Sequence, residues 1–365
     1  MKAAVLYGPN DLIIEDIEEN YENVTDKYIT LKVKASAICG YDVRVFRYGH
    51  KKVTFPIILG HEFCGQILEP IIIFENDINK NIYNYKEITA GTRVVVSPVI
   101  PCFTCWYCHN KLYNLCNNLK EIGSSINGGF AEYIKIPKKV IQIGSIIPVP
   151  DNLSDEEAAL LEPLSCCLNG FSKVVSIIKE ISFAVIIGDG PIGLLHLQLA
   201  KNVYCIKKTF VIGKIPLRLK KAEEIGADET LLLDDYNNID DLRKHILDLT
   251  DGIGANLVII ATNNPDSLQI AYKVSSKNSI INLFTDIVKE NTQKFDLSWF
   301  HYNQISLLGS FSSTPNMLLK ASRLATNKKV NLSKLITHRF SLHDIKDALT
   351  VAENYCGLRA IINKF

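Results

Sequence analysis

No apolar run in this 365-residue chain approaches the length that a bilayer-spanning helix needs. Charge of one sign is not in excess either: 40 Lys and Arg stand against 39 Asp and Glu, mixed along the sequence, for a net charge of +1. The electrostatic footprint of a nucleic-acid binder is therefore missing. Nor is a secretory leader expected, because Met1-Lys2-Ala3-Ala4-Val5-Leu6-Tyr7-Gly8 meets a turn before an apolar core of that kind could form. Membrane and nucleic-acid partners are not expected, and a cytoplasmic, reducing location is. No internal repeat is evident.

What is present is the composition of a folded protein, 47% hydrophobic and 22% charged, in a chain longer than one core usually organises, so two domains are expected. The first 150 residues hold short β-prone runs broken by Gly and Pro, such as Tyr28-Ile29-Thr30-Leu31-Lys32-Val33 and Thr92-Arg93-Val94-Val95-Val96. Within them Phe74 to Thr89, rich in Asn and Lys, reads as a surface loop or hairpin with no chemical role. From Asp151 the texture changes. Ser154 with Glu157 makes a capping box. Ala184–Ile187, Phe210–Ile212, Leu257–Ile260 and Ser279–Leu283 then read as strands buried on both faces. Alternation with amphipathic helices predicts an α/β, doubly wound parallel sheet over 151–300. A β-rich domain takes 1–150, and the mixed strand and helix of 301–365 can rejoin it through Ile305-Ser306-Leu307-Leu308-Gly309-Ser310.

Ten cysteines suggest disulfides in principle, but Cys102, Cys105, Cys108 and Cys116 crowd into fifteen residues, a pattern that favours metal in a reducing compartment. Their C-x2-C-x2-C-x7-C spacing lets a short lobe, about 98–120, fold four thiolates around one zinc ion. Four ligands close the shell and make that ion structural. Four unligated thiols or an iron–sulfur cluster are the other readings.

A catalytic metal needs an open position, and Cys39, His61 and Glu162 offer a thiolate, an imidazole and a carboxylate that leave room for an alcohol oxygen. Each is also readable as a core cysteine, a satisfied histidine or a helix-end carboxylate. Asp42 can fix the His61 tautomer or be an ordinary cap. Glu62 is either a spare ligand exchanging with Glu162 or a charged neighbour.

Gly188-Asp189-Gly190-Pro191-Ile192-Gly193 follows an apolar strand and opens a helical stretch, the context in which glycines let a pyrophosphate approach a helix N-terminus. A purely structural turn is the alternative. The next strand ends at Gly213, where an acid would normally hold the ribose hydroxyls. Lys214 and Arg218 follow and suit the extra phosphate of NADP over NAD, unless they are solvated surface charges.

Taken together and in this order, the two metal sets and the glycine turn resemble the zinc-containing medium-chain dehydrogenases, in particular the polyol branch of sorbitol and L-iditol 2-dehydrogenases. The resemblance extends over nearly the whole chain, through Gly128-Gly129-Phe130-Ala131-Glu132-Tyr133, Ile147-Pro148-Val149-Pro150-Asp151, Ala158 to Cys166, Glu224-Ile225-Gly226-Ala227-Asp228 and Ile336-Thr337-His338-Arg339-Phe340. A carboxylate at Glu162, where simple alcohol dehydrogenases usually carry cysteine, points to the polyol and threonine dehydrogenase side.

The resemblance implies a GroES-like catalytic domain around a Rossmann domain, two zinc ions per chain, NAD or NADP, and a homodimer or homotetramer. The catalytic zinc would sit on Cys39, His61 and Glu162 with Glu62 nearby, and the structural one on the four-cysteine lobe. Hydride would pass between a secondary hydroxyl of a polyol, sugar or cyclitol and the nicotinamide, with zinc as Lewis acid. Position 41 usually carries Ser or Thr at the head of a proton relay, and Tyr41 departs from that. Phe46 to His50 and Ser310 to Pro315 are candidate pocket segments. A threonine-type amino-alcohol dehydrogenase and a non-catalytic binding module that kept the fold are the rival readings.

Overall fold

The computed structural model describes residues 1–18, 27–77, 82–286 and 296–365. The chain forms two compact units, Met1–Cys166 with Ser313–Lys328 and Leu332–Phe365, and Cys167–Ser312 with Lys329–Asn331. Sequence texture changes earlier, at 151 and 301. The helix Asp155–Ala159 packs on the strands Tyr28–Ala37 and Glu62–Ile67 of the first unit, so helical texture begins before that unit ends.

The first unit is built on a seven-stranded sheet. Its order runs Ile146–Pro148, Arg93–Val96, Glu62–Ile67, Tyr28–Ala37, Arg359–Lys364, Ile336–Ser341, with Tyr133–Pro137 also on Tyr28–Ala37. The C-terminal strand lies antiparallel to Tyr28–Ala37, pairing Ile361 with Ala37 and Ile362 with Ser36, so the last strand of the chain joins the sheet built by residues 28–148. A second sheet, Asp11–Asp16, Lys2–Gly8 and Ile57–Ile58, closes its own core around Leu6, Ile58, Phe130 and Ile345. The expected capping box is present: Ser154 Oγ accepts from Glu157 N at 3.2 Å, and the Glu157 carboxylate accepts from Ser154 N at 3.0 Å. Across 74–89 the chain makes an antiparallel hairpin of Ile71–Asp77 and Ile82–Ile88, with residues 78–81 outside the described set.

The second unit is a six-stranded sheet, all parallel, in the order Glu229–Leu232, Lys208–Gly213, Phe183–Ile187, Ala255–Ile260, Ser275–Leu283, Ser306–Gly309. Numbered along the chain this is 3-2-1-4-5-6, the doubly wound order whose switch point falls beside the first strand. Phe183–Ile187 is buried at every residue, as a strand covered on both faces should be. Ser306–Gly309, which the sequence allowed to rejoin the first domain, instead pairs with Ser275–Leu283 as the parallel edge strand of this sheet. Its four residues carry no mark of which sheet they join, and three of them are exposed. Pro191 and Pro216 each open a helix at its first turn, where the missing N–H costs nothing.

Candidate functional site

Cys39 is the N-cap of the helix Gly40–Tyr48, and the carboxylate of Asp42 reaches back to accept from Cys39 N at 2.9 Å. The other Asp42 oxygen lies 3.5 Å from His61 Nδ1 and accepts from Gly60 N at 3.4 Å. Asp42 is completely buried. It is thus both a helix cap and the partner that orients His61, two roles that the sequence left as alternatives.

The His61 loop is held from one side by a tight backbone approach. Gly128 N donates to Ile58 O, Gly129 N to Gly60 O and Phe130 N to Leu59 O. A side chain at Gly128 would strike the carbonyls of Leu59 and Gly60, and Gly60 itself has φ +94° with Phe130 against it. The paired glycines of the Gly128–Tyr133 motif therefore place His61.

These elements bring one donor atom each from Cys39, His61 and Glu62 within 4.8 Å of one another. Glu162, in the first turn of the helix Leu161–Ile177, is buried and close enough for its charge to be felt by the group, but it stands outside that trio. Burial pushes its carboxyl up to about 7, helped by Glu62, while His61, a hydrogen bond from Cys166 Sγ at 3.3 Å and Arg359 pull the other way. Burial raises the Cys39 thiol, and Glu62 adds to that. At His61 burial opposes the charge, but Asp42 and Cys39 outweigh it and raise the imidazole well above its ordinary value. A thiol, an imidazole and two carboxyls crowded out of water are a set that one divalent cation would relieve, and the thiolate–imidazole–carboxylate chemistry suits zinc.

Sequence reasoning missed Arg359. Its Nη1 lies 3.0 Å from Glu62 Oε2 and donates to Ile38 O at 3.1 Å, with both partners of the ion pair almost fully buried. Nothing local in Arg359–Lys364 announces this, because the pairing exists only once that strand joins Tyr28–Ala37.

Tyr41 is half-buried beside the trio, its ring 5.8 Å from that of His61 and 5.5 Å from that of His50. Its hydroxyl donates to Ser124 Oγ at 3.1 Å, and burial raises its pKa. Of the candidate pocket segment 46–50, Phe46 belongs to the core instead. In the segment 310–315, Ser310 to Ser312 lie in the second unit and Ser313 to Pro315 in the first.

The four-cysteine lobe is clamped at its base by Val99–Ile100 pairing with Lys120–Glu121. Sulfur separations run 3.5 Å for Cys105 and Cys108, and 3.9 Å for Cys102 and Cys108 and for Cys105 and Cys116. A regular tetrahedron with Zn–S near 2.3 Å has edges of about 3.8 Å, so these separations suit a zinc ion, and none of the four is in a disulfide. Hydrogen bonds from Thr104, side chain first, hold the Cys102 thiol down to about 5, whereas burial pushes Cys108 up to about 12.

In the second unit Gly188 has φ +125° and faces the Ala261 carbonyl, 2.8 Å from where a Cβ would stand. A side chain at Gly193 would fall on the Gly188 carbonyl. Gly190 caps the helix Pro191–Asn202 and is open, its nearest neighbour being Arg218 Nη1 at 3.8 Å. Two glycines thus close the turn and the third leaves backbone exposed to a ligand, the fit a pyrophosphate requires. Pro191 and Ile192 form the first turn of that helix. Lys214 is exposed, whereas Arg218 is buried and 3.9 Å from Asp189. The reading of both as solvated charges therefore holds for Lys214 alone.

A half-buried thiolate–imidazole–carboxylate cluster, a closed four-thiolate lobe and a nucleotide turn on a 3-2-1-4-5-6 sheet define a zinc-dependent, nicotinamide-linked alcohol dehydrogenase. Residues 25–151 match the alcohol dehydrogenase GroES-like domain and residues 191–327 the zinc-binding dehydrogenase domain. The chain is 30% identical to D-arabitol-phosphate dehydrogenase of Enterococcus avium, covering 91% of this chain and 88% of that one. It is 29% identical to a sorbitol dehydrogenase of Halalkalibacterium halodurans over 90% and 89% of the two chains. The crystal structure of an alcohol dehydrogenase from Thermotoga maritima superposes with a TM-score of 0.87 at 25% identity, covering 100% and 99%. The chain belongs to the zinc-containing medium-chain dehydrogenases, on their polyol dehydrogenase branch. Its cofactors are zinc and NAD(P), and its substrate is a small molecule. No helix among the described residues is long and apolar enough to cross a membrane.

Proposed function

We propose that the protein interconverts a secondary alcohol of a polyol, sugar or cyclitol with its ketone. The observation that carries this is the meeting of half-buried Cys39 and His61 with buried Glu62, with Glu162 beside them. The names of the similar arabitol-phosphate and sorbitol dehydrogenases support the substrate class. When bound, zinc supplies the Lewis acid for the substrate oxygen and the dinucleotide supplies the hydride acceptor or donor.

Cys39 and His61 are the fixed metal ligands in this reading, and the carboxylate comes from Glu162 or Glu62. Asp42 holds the His61 ring by its Nδ1 side, leaving Nε2 for the metal. Arg359 restrains Glu62 and balances its charge. Tyr41 takes the relay position, its phenol kept protonated by burial and coupled to the Ser124 hydroxyl, through which a proton can pass. Cys102, Cys105, Cys108 and Cys116 hold the structural zinc. Gly188, Gly190, Pro191, Ile192 and Gly193 cradle the pyrophosphate at the helix N-terminus, and the segment Gly213, Lys214 and Arg218 meets the adenosine side. A cytoplasmic location and a homodimeric or homotetrameric assembly complete the proposal.

The deciding experiment is a panel of polyols, sugar alcohols, their phosphates, cyclitols and threonine, each assayed with NAD and NADP. Turnover confined to secondary hydroxyls of the polyol group is expected. Turnover of threonine alone would replace the polyol reading by the amino-alcohol one.

A further inference from the structure

The strand Lys208–Gly213 ends without the acid that holds ribose hydroxyls in dinucleotide-binding sheets. The structure puts a different acid there. Asp189, the second residue of the glycine turn, is buried, and its carboxylate lies directly over Gly213. A Cβ on Gly213 would stand 2.5 Å from Asp189 Oδ2 and 2.6 Å from Asp189 Cβ. Gly213 is therefore glycine because Asp189 occupies the space that a side chain would need, and an aspartate at position 213 would collide with it.

The Asp189 carboxylate is tied in place. Oδ2 accepts from Lys214 N and from Ile215 N, both at 2.8 Å, which are the backbone donors just ahead of the helix Pro216–Ile225. Oδ1 faces Arg218 Nη1 at 3.9 Å, and that guanidinium is itself buried. A phosphate arriving beyond this strand finds the two best-placed N–H groups taken by a fixed negative charge, and the buried cation already set against that charge. Lys214, the exposed member of the pair Lys214 and Arg218, is solvated and screened. A free ribose hydroxyl meets the opposite situation, since a carboxylate oxygen can accept a hydrogen bond from it.

We infer that Asp189 replaces the missing strand-end acid and makes NAD the preferred dinucleotide over NADP. This rests on the reading of residues 188–193 as a dinucleotide turn. It also reverses the preference that Gly213, Lys214 and Arg218 suggest as a bare sequence, because the acid comes from a different turn of the chain.

The test is equilibrium binding of NADH and NADPH to the zinc-loaded protein without substrate, read by calorimetry, for the wild type and Asp189→Asn. The wild type should bind NADH about tenfold tighter or more. Asparagine keeps the shape and an acceptor for the two backbone N–H groups but removes the charge, so the ratio should fall by about tenfold through tighter NADPH binding, with thermal unfolding showing the fold intact. Equal or tighter NADPH binding in the wild type overturns the inference, and so does an Asp189→Asn protein whose two affinities fall by the same factor. Should the variant fail to fold, the wild-type ratio alone decides. Binding of neither dinucleotide would remove the nucleotide turn itself, a result distinct from a wrong preference.

Discussion

Buried His196 should make the second unit less stable in mild acid. It lies on the helix Pro191–Asn202, fully buried, with the rings of Phe284 and Phe171 at 4.7 and 5.5 Å. Burial alone pushes its imidazole down to about 3. The unfolded chain takes up this proton near the ordinary value of about 6.5, the folded chain only near 3. Stability is therefore fully present above about pH 6.5 and is lost progressively as the pH falls toward 3. Between pH 7.5 and pH 5.5 the linkage costs about 1.4 kcal/mol, since the unfolded state gains protons that the folded state refuses. The chain has two tryptophans, Trp106 in the four-cysteine lobe and Trp299 in the second unit. In a Trp106→Phe background, intrinsic fluorescence then follows the second unit alone. Urea unfolding at the two pH values should show the histidine protein losing about 1.4 kcal/mol more than His196→Leu. Parallel losses in the two proteins would refute the reasoning and mean that the folded unit admits the proton.

Elemental analysis should find two zinc ions per chain, falling to one in Cys39→Ser; one zinc that Cys39→Ser leaves unchanged would remove the catalytic site. His61→Ala should abolish turnover while dinucleotide affinity stays within a few-fold, because the two sites come from separate units; equal loss of both would point to misfolding. Cys105→Ser should act mainly on stability, read as a lower thermal midpoint with protease sensitivity in the lobe, because a closed zinc site is part of the folding free energy. Arg359→Met should cost about 3–5 kcal/mol by leaving Glu62 buried and unpaired. Adding Glu62→Gln should recover a large part of that in denaturant melts, and additive losses would show the pair to be uncoupled.

Local patterns were legible in the sequence and long-range pairings were not. The buried strands announce themselves because a sheet covered on both faces needs unbroken apolar runs, and Phe183–Ile187 and Ala255–Ile260 have them. The zinc lobe announces itself because all four thiolates lie within one short segment, whose spacing alone nearly fixes the tetrahedron. Cys39, His61 and Glu62 are recognisable by chemical type, but which carboxylate joins the tight trio depends on where the fold places Glu162 and Glu62, which lie a hundred residues apart in the sequence. Arg359 stayed hidden because an arginine opening a terminal strand looks like a solvated one, and only its antiparallel pairing with Tyr28–Ala37 buries it. The edge strand Ser306–Gly309 was misplaced for the same reason, since four residues state their conformation but not their neighbour.

Gly213 shows why a missing residue is harder to interpret than a present one. In sequence, the absence of an acid at the end of a strand reads as a ribose site without its carboxylate or as a plain turn, and the two cations that follow favour a phosphate-binding argument unless they are solvated surface charges. In three dimensions the same absence has another cause: the space is already filled. Asp189 sits one turn of chain away in a motif where its position is usually treated as a spacer between glycines, so its identity carries no weight until the strand Lys208–Gly213 is laid parallel to Phe183–Ile187. That pairing brings the Gly213 backbone under the Asp189 carboxylate and turns Arg218 from a cation seeking a phosphate into the neighbour of a buried acid. Glycine and aspartate at these two positions are thus one feature, and changing either alone should disturb the nucleotide site more than changing both together, with Gly213→Asp tolerated only once residue 189 has been made small.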